Sequence, residues 1–120
     1  MKILDISRFS RALAFSMDGL RTAFKNETAC QQELIMLFVL SPVACFLPVS
    51  FIEKIMLISS LLVVLMVEIL NTAIETVINL VSPAFNPLAK YAKDLGSAAV
   101  LLSLVLGTLV WGGILGHRYL

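Results

Sequence analysis

The second half of the chain opens with the stretch Ile55-Met-Leu-Ile-Ser-Ser-Leu-Leu-Val-Val-Leu-Met-Val-Glu-Ile-Leu-Asn-Thr-Ala-Ile-Glu75. Its first part is apolar enough for a membrane-spanning helix, and Glu68, Asn71 and Glu75 then interrupt it. At about 100° per residue, spacings of three and four place these side chains on one stripe of a helix. Ionisable groups near membrane depth are energetically expensive and are retained for chemistry, ion handling or polar contacts within a bundle. The stripe is most typical of a metal or acid–base site.

Composition restricts the class of protein. The 120 residues are 59% hydrophobic and only 14% charged, and the mean hydropathy is +0.96. A single soluble domain of this size cannot bury so much apolar surface, because small domains bury the lowest fraction of their area. The sequence therefore predicts one integral-membrane domain over residues 1–120. The formal net charge of +1 gives no reason to expect a nucleic-acid partner.

Hydrophobic patterning predicts an all-α membrane protein with a surface helix and three transmembrane helices. Over about residues 4–27, apolar residues recur at helical spacing opposite a cationic side, which is typical of a helix lying in the membrane interface. Three apolar stretches follow at about 29–48, 51–80 and 90–117, and a loop with two prolines separates the last two. Pro42 is expected to kink the first span.

The distribution of Lys and Arg predicts the orientation. With the N-terminus in the cytoplasm, only Lys54 and Arg118 lie outside, which satisfies the positive-inside rule. The residues then inside are Lys2, Arg8, Arg11, Arg21, Lys25, Lys90 and Lys93.

This orientation places the polar stripe at the cytoplasmic face. At about 1.5 Å per residue, Glu68 lies about 20 Å from the external end of its span, and Glu75 lies about 10 Å nearer the cytoplasm. Glu27, Glu33, Lys93, Asp94, Ser97, Arg8 and Arg21 are expected at the same face. These residues supply the components of phosphoryl transfer. Carboxylates can hold Mg²⁺, cations can neutralise phosphate oxygens, and a base can accept a hydroxyl proton.

Other interpretations remain open on the residues alone. Glu27, Glu33, Arg21 and Lys90 are individually typical of solvated interfacial charges. The familiar nucleotide-binding motifs GxxxxGK[ST] and GxGxxG are absent from the sequence. An ion-coupled or proton-coupled small transporter built around Glu68 therefore competes with an enzyme, and a non-enzymatic membrane scaffold is a third alternative.

Three motifs also resemble the prokaryotic diacylglycerol kinases, small three-span enzymes of the bacterial inner membrane. The first is Val67-Glu-Ile-Leu-Asn-Thr-Ala-Ile-Glu75, and the second is Ala92-Lys-Asp-Leu-Gly-Ser-Ala-Ala-Val100. The third combines Gly19-Leu-Arg21, Asn26-Glu27 and Gln32-Glu33. The resemblance covers essentially the full chain. It implies a homotrimer whose subunits share active sites and transfer the γ-phosphate of MgATP to diacylglycerol.

The resemblance also implies roles for individual residues. Glu68 would be the general base at the lipid hydroxyl, and Glu27 and Glu75 would hold the Mg²⁺ that accompanies ATP. The ATP site would further include Arg8, Phe15, Asn71, Asn86, Lys93 and Asp94. The lipid and phosphate side would include Ser16, Arg21, Glu33 and Ser97.

The chain departs from the family pattern at several positions. Asn79 stands where an aspartate is usual, Phe15 replaces an expected tyrosine, and the loop Ala84-Phe-Asn86 is less polar than in the family. Undecaprenol kinases of the same fold share the Glu/Asn/Glu stripe and the Lys-Asp pair. Undecaprenol is therefore the alternative lipid acceptor.

Overall fold

The computed structural model describes Ile3 and residues 5–120, and the regular secondary structure of this part of the chain is entirely α-helical. Its four helices are α1 (Ile6–Asn26), α2 (Thr28–Phe46), α3 (Phe51–Val81) and α4 (Pro87–Tyr119). The all-α prediction is therefore confirmed. The expected start of the surface helix at residue 4 and the cytoplasmic charge of Lys2 lie outside the described residues.

Polar side chains fix where three of the helices begin. Asp5 accepts a hydrogen bond from the Arg8 backbone at the start of α1. Ser50 and Glu53 form a reciprocal capping box at the start of α3, with bonds of 3.2 and 3.0 Å. Asn86 caps α4, whose first residue is proline. Such caps satisfy backbone N–H groups that have no partner within the helix.

Glu27 forms the corner between the first two helices. Its backbone is extended, with φ −116° and ψ 113°, so α1 ends before it and α2 begins after it. Its N–H still donates to Ala23 O at 2.9 Å, and its carbonyl accepts from Gln31 N at 3.0 Å. The chain therefore changes direction at Glu27 while keeping the backbone groups of the corner hydrogen-bonded. Helix α2 continues through Pro42 and ends at Phe46.

Three helices are long and apolar enough to cross a membrane, which confirms that part of the prediction. They are α2, α3 and α4, with 19, 31 and 33 residues. At about 1.5 Å per residue, α3 and α4 approach 50 Å and exceed a hydrocarbon core of about 30 Å. Both helices therefore extend beyond the apolar layer at one end or the other.

Helix α3 is central to the packing, because it contacts both α2 and α4, while α1 packs against α2. Ala44, Leu57 and Ile114 form a buried cluster, beside which Trp111 Nε1 donates to Leu57 O at 3.1 Å. At the same end of the molecule, Arg118 Nε donates to Pro48 O at 2.8 Å. Large apolar side chains on the outer faces of α2 and α4 stay exposed, as expected of helices surrounded by an apolar medium.

Candidate functional site

Helix α3 presents Glu68, Asn71 and Glu75 at spacings of three and four residues, and the side chains occupy different environments. Asn71 is only 8% exposed, whereas the two glutamates are half-buried. The Asn71 Nδ2 group donates a hydrogen bond to Glu75 Oε1 at 3.3 Å. The Asn71 amide thus orients the Glu75 carboxylate and makes no hydrogen bond to Glu68 in the described residues.

The other atom of the Asn71 amide is buried without a partner. Within the described residues, Oδ1 has no hydrogen bond. It lies against Gly96 of α4, where an added Cβ would stand 2.0 Å from it. The polar stripe therefore touches α4 at Gly96. This position is two residues after Asp94 and three after Lys93 in the sequence.

Four carboxylates gather where the α1–α2 corner meets α3. Glu68 is close enough to Glu27 and Glu75 for their charges to interact, and Glu33 is close enough to interact with Glu68. Repulsion among neighbouring carboxylates is relieved by protonation or by a bound cation. The structure thus brings together the four glutamates that the sequence placed at this membrane face.

Cys30 belongs to the same region and was not among the predicted site residues. It is fully buried, and it lies near Glu27 and Glu68 and beside Thr72. Its complete burial is typical of a free cysteine that packs as a small apolar residue. Its position next to the carboxylates depends on how α2 and α3 pack, for which a lone cysteine gives no sequence signal.

The donor set fits a metal ion that arrives with phosphates. Over Ile3 and residues 5–120, no group of three or more His, Cys, Asp or Glu side chains could hold a metal ion by itself. Mg²⁺ usually takes one or two carboxylates and completes its coordination with phosphate oxygens and water. Glu27 and Glu75 supply two carboxylates from facing elements, both near Glu68. They match the chemistry of a nucleotide-bound Mg²⁺ rather than that of an all-protein metal cage.

Lys93 and Asp94, both predicted to line the ATP site, contact different partners. Lys93 Nζ donates to Asn79 Oδ1 of α3 at 2.8 Å. Asp94 instead forms an ion pair with Lys90, with 2.6 Å between Nζ and Oδ2. Asn79, which stands where the family usually has an aspartate, is thus a hydrogen-bond partner of Lys93 within this chain. The partner of Lys93 on α3 is therefore a neutral amide rather than a carboxylate.

The loop between α3 and α4 places a cavity beside these cations. Its volume is about 350 Å³, and Phe85, Asn86, Lys90, Lys93 and Asp94 contribute to its lining. Asn86 Oδ1 accepts from the N–H groups of the first turn of α4, at 2.8 and 3.4 Å. The amide of Asn86 is therefore held at the cavity, and its nitrogen remains available to a ligand.

The predicted residues of α1 are not brought to the carboxylates. Arg8, Phe15, Ser16 and Arg21 are exposed. Ser16 donates to Ala12 O at 2.9 Å, and Arg21 pairs with Asp18 at 3.4 Å. In the described part of the chain, none of the four makes a polar contact with Glu27, Glu68 or Glu75. Ser97, which follows Gly96 on α4, is also exposed.

Two clefts lie beside α1. One, of about 540 Å³, lies between α1 and α3, and its mostly apolar lining includes the polar residues Asn26, Glu27, Thr72 and Thr76. A second, apolar cleft of about 470 Å³ lies between α1 and α2, with Arg21 among its lining residues. Glu27 at the corner therefore lines the first cleft, and the opposite side of α1 lines the second.

Comparisons with known proteins agree over nearly the whole chain. Residues 14–115 match the model of a family described as prokaryotic diacylglycerol kinase. A diacylglycerol kinase of Haemophilus influenzae is 40% identical over 95% of this chain and 97% of its own length. One from Escherichia coli is 40% identical over 88% and 86%, and one from Pseudomonas aeruginosa is 41% identical over 92% and 89%. The matched range contains every predicted site residue except Arg8.

Proposed function

The chain belongs to the prokaryotic diacylglycerol kinase family, and on that premise we propose that it is an ATP-dependent lipid kinase. It transfers the γ-phosphate of MgATP to the hydroxyl of diacylglycerol and gives phosphatidic acid. The observation that carries the proposal is the gathering of Glu27, Glu68 and Glu75 where the α1–α2 corner meets α3, in a chain that matches diacylglycerol kinases over most of its length.

The membrane arrangement is part of the same proposal. The protein is a multi-pass component of the bacterial inner membrane, with its N-terminus and its active site at the cytoplasmic side. Helix α1 lies in the interface, which is supported by the exposure of Phe9, Leu13 and Phe24 in a helix that also carries arginines. The cytoplasmic ends of α3 and α4 extend beyond the hydrocarbon, so nucleotide from the cytosol and lipid from the bilayer meet at the same level.

The nucleotide side of the site uses the shallower carboxylates. Glu27 and Glu75 hold the Mg²⁺ of MgATP, which when bound would neutralise charge on the phosphate oxygens. Asn71 orients Glu75, and Lys93 presents an uncompensated cation to the phosphates. Arg8, Phe15, Asn86 and Asp94 complete the ATP site.

The lipid side uses the deeper carboxylate. Glu68 is seven residues from Glu75 on the same helix, which is about 10 Å along its axis. At that depth, the hydroxyl of a membrane lipid is a more accessible partner than bulk water. Ser16, Arg21, Glu33 and Ser97 line this side, with Arg21 beside the apolar cleft between α1 and α2.

The transfer step follows from these positions. The diacylglycerol hydroxyl oxygen bonds to the γ-phosphorus as the bond from that phosphorus to the β–γ bridging oxygen breaks, and ADP leaves. The hydroxyl proton passes to Glu68. Phosphoryl transfer depends mainly on alignment and on neutralising the phosphate oxygens. This chain supplies alignment through the stripe of α3 and positive charge through Lys93.

A homotrimer with shared sites completes the proposal. In a single chain Arg8, Phe15 and Ser16 are exposed, and in the described structure none of them makes a polar contact with Glu27, Glu68 or Glu75. Large apolar faces on α2 and α4 are also unpaired. Both observations support a site to which a second subunit contributes, because the residues missing from one chain's cluster are available on the surface of another.

The alternative functions are not favoured. The relatives from all three bacteria are diacylglycerol kinases, which supports diacylglycerol over undecaprenol as the acceptor. A proton-coupled transporter would need Glu68 but would not need the Lys93 contact, and a passive scaffold would leave the stripe of Glu68, Asn71 and Glu75 without a purpose.

Labelled phosphate transfer tests the function directly. The purified protein in mixed micelles is given MgATP labelled at the γ-position and either diacylglycerol or undecaprenol. We expect strong labelling of diacylglycerol and little labelling of undecaprenol. Preferential labelling of undecaprenol would show that undecaprenol, not diacylglycerol, is the acceptor. Labelling of neither lipid would refute the proposal of a lipid kinase. A chain that moves protons without consuming ATP would be a transporter.

A further inference from the structure

The closest approach between α3 and α4 at the site is between Asn71 and Gly96. The Asn71 Oδ1 atom is buried and has no hydrogen-bond partner in the described residues. A Cβ built on Gly96 would stand 2.0 Å from Oδ1 and 3.1 Å from Cγ of the same amide. Cβ atoms essentially never come within 3.0 Å of a non-bonded heavy atom of another residue. Only a residue without a side chain fits at position 96 while Asn71 keeps this rotamer.

The contact also determines which way the amide faces. The Gly96 hydrogen that replaces a side chain points at Oδ1, which makes a weak Cα–H···O contact. The opposite end of the amide, Nδ2, then faces Glu75 and donates to Oε1 at 3.3 Å. Rotating the amide by 180° would bring its oxygen against the carboxylate, where the two acceptors repel. Helix α4 thus holds Asn71 in the orientation that binds Glu75.

The unsatisfied oxygen indicates that this arrangement serves more than stability. Buried acceptors without a partner are few in folded proteins, and each calls for an explanation. Neither Gly113, which has nothing within 4 Å of an added Cβ, nor Gly107, whose added Cβ would meet Val64 at 3.6 Å, comes so close to a neighbour. The tight contact is confined to the residue that meets the polar stripe.

We infer that Gly96 is a positioning residue for the kinase reaction: it acts through Asn71 to orient the Glu75 carboxylate toward the Mg²⁺ of MgATP. This inference rests on the proposed function in assigning Glu75 to MgATP. The geometry of the Gly96–Asn71–Glu75 chain of contacts stands independently of it. The same series of contacts links Glu75 to α4, the helix in which Lys93 lies about one turn before Gly96.

Gly96→Ala is the direct test. The added methyl displaces the Asn71 amide and breaks its bond to Glu75. We expect the KM for MgATP to rise on the order of tenfold, the size associated with losing a hydrogen bond to a charged group. The KM for diacylglycerol should stay within about twofold, because Glu68 does not depend on the Asn71 bond. Higher free Mg²⁺ should recover part of the lost rate. Gly113→Ala is the matched control and should leave both KM values unchanged.

A double-mutant cycle with Asn71→Ala separates positioning from general damage. Affinity for MgATP is measured by competition with a fluorescent trinitrophenyl derivative of ATP, so the variants need not be active. If Gly96 acts through Asn71, adding Gly96→Ala to Asn71→Ala causes no further loss of affinity. The double variant should also fold even if Gly96→Ala alone does not, because the obstructing amide has been removed.

The outcomes distinguish the inference from the proposed function. If the wild type is active and Gly96→Ala has the same KM values as Gly113→Ala, the inference is overturned but the proposed function is not. Additive losses in the cycle, or equal increases in both KM values, would also overturn it, because they indicate a structural effect unrelated to Glu75. A wild-type protein that neither binds MgATP nor phosphorylates diacylglycerol would refute the proposed function, and the inference with it.

Discussion

Lys93 of α4 donates a hydrogen bond from Nζ to the amide oxygen of Asn79 on α3, at 2.8 Å. The bond joins the C-terminal end of α3 to the N-terminal end of α4 across the loop that carries Asn86. Because Asn79 is neutral, it positions the ammonium group without neutralising it. In the proposed ATP site, this contact would hold Lys93 in place with its charge available to phosphate oxygens.

Replacing Asn79 with aspartate should weaken nucleotide binding. The new carboxylate would pair with Lys93 and reduce the charge available to MgATP. A partly exposed ion pair is worth about 1 kcal/mol or less, so we expect the KM for MgATP to rise about two- to fivefold at low ionic strength. Steady-state kinetics with saturating diacylglycerol measures the KM for MgATP. Asn79→Ala is the uncharged control, and an Asn79→Asp enzyme with the wild-type KM would contradict the proposed role of the neutral amide.

The two lysines at the start of α4 should behave differently. Lys90 is committed to an exposed ion pair with Asp94, which contributes at most about 1 kcal/mol to stability. Lys93 faces Asn79 and the nucleotide side. We expect Lys93→Gln to lower MgATP affinity on the order of tenfold or more, while Lys90→Gln changes it little. Equal losses in the two variants, measured by nucleotide titration, would show that only the total charge matters.

The capping box at the start of α3 should contribute to stability without affecting catalysis. Ser50→Ala removes the acceptor for the Glu53 N–H and should destabilise the protein by about 1 kcal/mol. Unfolding in detergent at increasing denaturant measures the loss, and phosphate transfer by the folded fraction should be unchanged. Ser59→Ala, an exposed serine within the same helix, is the control. Comparable stability for the two variants would contradict a role for the cap.

Glu75→Gln should change the metal dependence of the reaction. Removing one of two carboxylate donors weakens the binding of Mg²⁺ with ATP, so half-maximal activity should require a higher Mg²⁺ concentration. The measurement is a Mg²⁺ titration of phosphate transfer at fixed ATP. Ser82→Ala, which alters a loop hydroxyl that donates to Ala84 O, is the control. A Glu75→Gln titration that overlays the wild type would exclude Glu75 as a metal ligand.

The all-helical class and the three long apolar helices could be predicted from the sequence, because hydrophobic periodicity and segment length are local properties of the chain. The same holds for the spacing of Glu68, Asn71 and Glu75, which follows from helix geometry alone. Asn86 as a helix cap is likewise a local effect, and its place in the ATP site, which the family resemblance implies, stays a prediction.

Contacts between helices could not be predicted in the same way. The Lys93–Asn79 bond and the Gly96–Asn71 contact depend on the register between α3 and α4, and a shift of one residue would rotate each partner by about 100°. Lys93 and Asp94 are consecutive in the sequence, but consecutive helical residues point in different directions, so Lys93 contacts Asn79 and Asp94 reaches Lys90 four residues earlier. Cys30 was overlooked for the same reason, since its burial near Glu68 arises from α2–α3 packing.

The central claim is that the two glutamates of the stripe have separate tasks, with Glu68 at the lipid hydroxyl and Glu75 at MgATP. The most direct test measures γ-phosphate transfer to diacylglycerol by Glu68→Gln, in protein that remains folded and binds MgATP as the wild type does. Loss of a general base should lower kcat on the order of 10²- to 10⁴-fold with little change in MgATP affinity. Turnover near the wild-type rate, or a parallel loss of MgATP binding, would contradict the division of tasks.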